Sequence, residues 1–291
     1  MTNGVDTGKH YHKSCTGDAL VTVQKHSTTE DITFFAACFC PFVQRVWIAL
    51  EYLQIPYQVS PHVSVDPYKK PKELLEVSPK GLVPGLKLNN FNPPKALNES
   101  TVILEYVEDT DLHAQIEASL ANSERSLLPP KKDPYARALV RLQCDHVNRS
   151  LVPAFYRFLQ AQDQEQSIAA GKDFLESLDG LAGLLLRAER ESQDPVALGL
   201  WHENGSLNLT DAMAGPWLFR ASNVLKHYRG FELPENERFN RWLLRLFNHA
   251  SFKATCSTEE LYLDSYERWY AFNRPNTSQV ANAINSGRNL P

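Results

Sequence analysis

Apolar residues along this chain follow two rhythms, and the change between them divides it. From Asp31 a short β-rich run, "ITFFAA", leads into a segment where Val43, Val46, Trp47, Leu50 and Leu53 recur at helical spacing up to Gln54. "YQVSPHVSV" reads as a strand and "PKELLEV" as a helix. "LVPGLKL" and "KALNES" read as two strands parted by a loop with Asn and Pro, and Thr101 to Val107 as the opening of another helix. The order β-α-β-α-β-β-α predicts one compact sheet with helices on it. Beyond Asp133 the period is helical throughout, with Ala138, Leu142, Val147 and Leu151 in one segment and Phe174, Leu178, Leu181 and Leu185 in another. The prolines of "LLPPKKDP" interrupt the chain between the two regimes. The expectation is an α/β domain over 31–125 and an all-α helical domain over 126–291. Residues 1–30 are polar and without period, and predict a flexible extension.

A length of 291 residues agrees with two cores. With 43% apolar and 22% charged residues the chain has the composition of an ordinary soluble protein. A formal charge of −4 leaves no basic footprint for nucleic acid, and the lysines of 69–72 and 131–132 are too few to form a polybasic arm. The N-terminal residues lack the apolar core of a secretory signal, and the longest apolar patch, around Leu181 to Leu186, is too short to span a bilayer. No membrane partner and a cytoplasmic location are expected. The five cysteines, at 15, 38, 40, 144 and 256, are odd in number and scattered, which favours reduced thiols over a disulfide framework. His10, His12 and Cys15 have no fourth ligand nearby, so no metal is expected.

The chemistry concentrates in "FFAACFCPFVQR", Phe34 to Arg45. Proline suits the first position of a helix, so Pro41 marks a helix start and Cys40 its N-cap. Unpaired N–H groups and the helix dipole favour an anion there, which predicts a thiol below its ordinary value of about 8.5. Cys38 lies outside that position. A CPxC dithiol would need a cysteine where Val43 stands. The remaining route is monothiol exchange, in which Cys40 forms a mixed disulfide with a small thiol, glutathione being the abundant candidate, and a second thiol molecule resolves it. Cys38 as resolving thiol would close a strained ring, and stays open as an alternative. In "GLVPGL" a cis Val83–Pro84 bond would present the Val83 backbone to an extended peptide ligand, whereas a trans proline would only turn the chain. In "NES" the Ser100 hydroxyl and free N–H groups suit a carboxylate and Glu99 an ammonium, with plain helix capping as the other possibility.

Together "FCPFVQR" at 39–45, "KP" at 70–71, "GLVPGL" at 81–86 and "ES" at 99–100 resemble the omega-class glutathione transferases. The resemblance implies a thioredoxin-like first domain followed by the helical domain. It implies Cys40 as the residue that forms the mixed disulfide with glutathione, and Phe42 beside it. Lys70 would meet the glycyl carboxylate, Val83 with Pro84 the cysteinyl backbone, and Glu99 and Ser100 the γ-glutamyl end. "NLTDAMAGPWLFR" resembles the family too, with Asn208 and Asp211 placed as a structural capping box, and the tail "NTSQVANAINSGRNLP" looks like the endings of fungal members. A pocket between domains for a hydrophobic partner is implied, with Tyr135, Phe155 and Trp242 as aromatic candidates, and so are homodimers. The loops "NNFNPPKA" and "VSVDPYKKPK" depart from the family pattern. The activity implied is reduction of mixed disulfides, dehydroascorbate or glutathionyl-ketones through Cys40. The alternative is a non-catalytic carrier of hydrophobic or aromatic small molecules. Conjugation of glutathione fits less well, because it calls for a hydroxyl that stabilises glutathione's own thiolate.

Overall fold

The computed structural model describes residues 12, 14–60, 71–109, 125–192 and 198–272. After helix α1 (Gly17–Lys25) comes β1 (Ile32–Phe35), buried along its whole length, with its one polar residue, Thr33, accepting from the side-chain amides of Gln58 and Asn89 at 2.6 and 2.9 Å. Helix α2 (Pro41–Leu53) crosses over to β2 (Gln58–Val59), which lies parallel to β1 with Thr33 opposite Gln58. Helix α3 (Lys72–Val77) precedes β3 (Gly85–Leu88), β4 (Lys95–Asn98) and α4 (Ser100–Asp109). Both later strands are antiparallel to their neighbours, and the sheet order is β2-β1-β3-β4. A Cβ at Gly85 would meet Val77 Cγ1 at 2.8 Å, so glycine lets α3 lie directly on the strand. This half is thioredoxin-like.

The rest is helical: α5 (Pro134–His146), α6 (Val152–Gln160), α7 (Gln164–Glu191), α8 (Leu209–Arg220), α9 (Lys226–Arg229), α10 (Glu237–Asn248), α11 (Ala250–Lys253) and α12 (Glu259–Phe272). π-Helical turns over Val147–Leu151 and Ala221–Leu225 join α5 to α6 and α8 to α9. None of the described helices is long and apolar enough to cross a membrane. On α7 the expected stripe of Phe174, Leu178, Leu181 and Leu185 is buried. On α5 the stripe is rotated: Ala138 and Leu142 face outward, and Leu139, Val140, Gln143 and Cys144 face in. A buried glutamine misleads the pattern, and it is tolerated because the Thr210 hydroxyl donates to Gln143 Oε1 at 2.6 Å. The capping box of α8 is present, with Asn208 Oδ1 accepting from Asp211 N at 3.1 Å and Asp211 Oδ2 from Asn208 N at 3.0 Å.

The expected extension over 1–30 needs correction where it is described. Gly17–Lys25 is a helix that buries Ala19 and Thr22, with Cys15 buried ahead of it. Ala19 N donates to Cys256 O at 3.0 Å, Thr22 Oγ1 to Ala254 O at 2.7 Å, and Val59 N to His26 O at 2.9 Å. Leu20 and Val23 pack against the core beside Ala19, but nine residues are too few to show a period, and so short a helix draws its stability from docking. One apolar cluster runs from Ile32 and Phe34 through α2 to Leu151, Phe155, Trp217 and Trp242. Helix α2 is thereby covered on two sides, by the sheet and by α8, and Gln44 and Arg45 are buried along with its apolar stripe.

Candidate active site

Register gathers the site at one end of the sheet. Phe35 and Asn98 both pair with Gly85, so the segments leading to Cys40, preceding Gly85 and leading to Ser100 leave the sheet together. Cys40 is the N-cap of α2, extended at φ −76° and ψ 120°, with Pro41 in the first turn and Gln44 N donating to Cys40 O at 3.1 Å. The Val83–Pro84 peptide is cis, and Val83 O lies 4.0 Å from Cys40 Sγ. Ser100 opens α4 and is buried, while Glu99 before it is exposed. Glu99 has φ 71°, a left-handed conformation that costs a non-glycine residue energy and often marks a ligand site. Lys70 lies outside the described residues.

The remaining candidates divide. Phe42 is half-buried, with its ring edge-on to Trp217 of α8 at 4.8 Å. Phe155 and Trp242 are completely buried, and Trp242 Nε1 donates to Asp211 Oδ1 at 2.7 Å. Tyr135 is 52% exposed on the outer face of α5, where its hydroxyl donates to Glu191 Oε2 at 2.8 Å. These three do not line a common cleft, since two are core residues and the third faces outward.

Sequence reasoning left three polar residues around Cys40 without a role. Arg45 donates through Nε to Met213 O at 3.0 Å and through Nη1 to Asn148 Oδ1 at 2.9 Å, and stacks 4.1 Å from the Trp217 ring. Asn148 in turn donates to Thr101 Oγ1 at 3.4 Å, tying α2 to the first turn of α4. Arg220, the last residue of α8, donates to Gln44 Oε1 at 2.6 Å and to Phe39 O at 3.0 Å. The available signal was a basic residue ending the mostly apolar run "LTDAMAGPWLFR" and the Gln-Arg pair closing "FCPFVQR".

The titration of Cys40 corrects the expectation drawn from the helix end. Burial pushes this thiol up from its ordinary value, against the N–H groups of Val43 and Phe42 and the charges of Arg220 and Arg45. Burial pushes Cys15, Cys38, Cys144 and Cys256 up to about 12. It also pulls the Arg45 guanidinium down to about 9.

A thioredoxin-like domain followed by an all-helical domain is the architecture of glutathione transferases. The family model "Glutathione S-transferase, N-terminal domain" matches residues 39–110. Glutathione transferase Omega 3C from Trametes versicolor has a crystal structure similar to this one, at 31% identity and a TM-score of 0.67, covering 88% of this chain and 97% of that one. The chain belongs to the glutathione transferase family. It is similar over 229 residues, at 25% identity, to glutathione S-transferase DHAR2 of Arabidopsis thaliana, spanning 78% of this chain and 89% of that protein. It is 37% identical over 78 residues to the pyrimidodiazepine synthase of Drosophila melanogaster, a match spanning 27% of this chain and about a third (31%) of that relative.

Proposed function

We propose that the protein is a glutathione-dependent thiol transferase or reductase of the omega type, with Cys40 as its nucleophile. One observation carries the reading: the half-buried Cys40, at the N-cap position of α2, holds its thiol beside the Val83 carbonyl, at the sheet end from which Ser100 also emerges. In the first step the Cys40 thiolate attacks the glutathione sulfur of a mixed disulfide. The new bond joins Cys40 to glutathione, the old disulfide breaks, and the substrate sulfur leaves as a thiolate that takes a proton from solvent. A glutathione thiolate then attacks the glutathione sulfur of the Cys40 adduct, which releases glutathione disulfide and regenerates the Cys40 thiolate. Dehydroascorbate and glutathionyl-ketones are substrates of the same overall change, in which two glutathiones supply two electrons. Val83, with Pro84, would hold the cysteinyl unit, Glu99 and Ser100 the γ-glutamyl end, Lys70 the glycyl carboxylate, and Phe42 the wall beside the sulfur. Glutathione is the co-substrate, and no metal takes part.

The names borne by similar proteins, omega glutathione transferase in one case and glutathione S-transferase DHAR2 in another, support this reading. Two copies would pair through the face where α4 and α5 meet, which exposes Val102 and Leu142 and is bridged by Arg141 and Glu105 at 2.8 Å. A cytoplasmic location suits the free thiols. The test is turnover of the mixed disulfide of glutathione and 2-mercaptoethanol with glutathione in excess. Cys40→Ser should reduce the rate to that of uncatalysed exchange while Cys38→Ser stays near wild type. Wild-type turnover no faster than the uncatalysed exchange would refute the proposal and favour a carrier.

A further inference from the structure

Arg220 belongs to the helical domain, yet its guanidinium grips the cysteine turn of the other domain from both sides. Nη2 donates to the carbonyl of Phe39, the residue before Cys40, at 3.0 Å. Nη1 donates at 2.6 Å to Gln44 Oε1, and Gln44 closes the first turn of α2 by donating its backbone N–H to the Cys40 carbonyl at 3.1 Å. A further bond from Nη1 to Pro216 O at 2.9 Å folds the side chain back along α8, and the guanidinium carbon lies 4.5 Å from the Tyr262 ring. Its side chain is about 1% exposed, and Nε is buried without a hydrogen-bond partner.

Among the described residues the Arg220 guanidinium donates to carbonyl and amide oxygens and faces the rings of Tyr262 and Tyr266, all of them neutral groups. Burying a guanidinium is costly unless a partner or a function requires its charge, and no carboxylate among the described residues pairs with it. A structural clamp between two neutral acceptors could be built from an uncharged side chain. The group that gains from a retained charge at this place is the one that becomes an anion between the two clamped residues.

We infer that Arg220 is a positioning residue of the thiol chemistry: it fixes the turn around Cys40 and keeps a positive charge there for the thiolate that attacks and later leaves. The helical domain thus contributes to the reactivity of a cysteine that belongs to the thioredoxin-like domain. The groups facing Cys40 are Arg45 on its own helix, Arg220 on α8, Tyr156 on α6, Tyr266 on α12 and Cys38 in the preceding turn. Of these the two arginines favour the thiolate. Arg45 also spends hydrogen bonds on Met213 and Asn148, whereas Arg220 bonds directly to the segments on either side of the sulfur.

The inference rests on the thiol-transferase reading only for its turnover arm. Iodoacetamide labelling of Cys40 against pH, with no glutathione present and the site read by peptide mass spectrometry, needs no such reading. Arg220→Gln should raise the labelling midpoint of Cys40 by about one unit. It should also lower kcat for the mixed disulfide by about tenfold, with KM for glutathione nearly unchanged. Arg220→Lys restores the charge but not the two-sided grip, so its midpoint should return toward wild type while kcat stays low. A folded Arg220→Gln variant with the wild-type midpoint would overturn the inference. If that variant does not fold, Arg220→Lys decides, and wild-type kcat in it would overturn the positioning role. A wild-type protein without turnover would sink the proposed activity and leave the labelling result to judge Arg220 by itself.

Discussion

At the sulfur of Cys40 two opposed influences meet. Helix-end amides and two guanidiniums favour the thiolate, and burial disfavours it more, so the thiol titrates above its ordinary value. The thiolate fraction therefore grows as pH rises through and beyond about 8.5, and a thiolate of higher pKa is also the stronger nucleophile. Labelling of Cys40 by iodoacetamide should accelerate from pH 7 to pH 9.5 without a plateau near neutrality; a plateau there would mean the helix end dominates. Cys38 should stay unlabelled over that range, since burial pushes it up to about 12. On the ligand side, Ser100→Ala should weaken glutathione binding by about 1 to 3 kcal/mol through loss of a hydrogen bond to a charged group. Calorimetric titration with glutathione would show it, and unchanged affinity would remove Ser100 from the site. Cys40, Val83, Glu99 and Ser100 were legible in the sequence because each belongs to a short motif. The direction of the thiol's titration was not, because burial depends on what the second domain lays over the turn.

Among the elements, α1 shows how docking replaces pattern. His26 ends it, stacks on Tyr57 with ring centroids 3.8 Å apart, and bonds through Nδ1 to Tyr57 O at 2.9 Å. Its Nε2 lies 3.0 Å from Glu51 Oε1. Both neighbours are acceptors, so the protonated ring can donate to both. Burial works against that charge, but Glu51 outweighs it and raises His26, while His26 and Tyr57 hold Glu51 below the usual carboxylate range. A raised histidine stabilises the fold fully below its unfolded value of about 6.5, and the contribution is lost as pH rises through the folded value. Glu51, being lowered, contributes above about 4.3 and loses its contribution as pH falls through its folded value. His26→Gln should therefore destabilise by about 1 kcal/mol near pH 5.5 and by less as pH rises above His26's folded value. Urea denaturation at pH 5.5 and pH 9 checks this, and equal losses at both would contradict it. None of it was visible in residues 1–30 as a sequence, because the nine residues of α1 are too few to establish a helical period. The rotated face of α5 has a related cause, since the buried Gln143 is satisfied by Thr210 from a distant part of the chain.

For the molecule as a whole, the order of strands and helices was readable because sheet and bundle impose different periods on the chain. The joint between them was not, because Gln44, Arg45 and Arg220 are polar residues that only a second domain can bury. The outward face of α4 and α5 tests the assembly: Leu142→Glu should convert a dimer to a monomer in light scattering, whereas a monomeric wild type would exclude the pairing. Exchange of Cys40 with glutathione is the step on which the proposed activity depends. The most direct test is intact-protein mass spectrometry after incubation with glutathione disulfide, followed by reduced glutathione. A single glutathionyl adduct should map to Cys40, be absent in Cys40→Ser, persist in Cys38→Ser and be removed by reduced glutathione. An adduct on Cys38 instead, or none on Cys40, would contradict it.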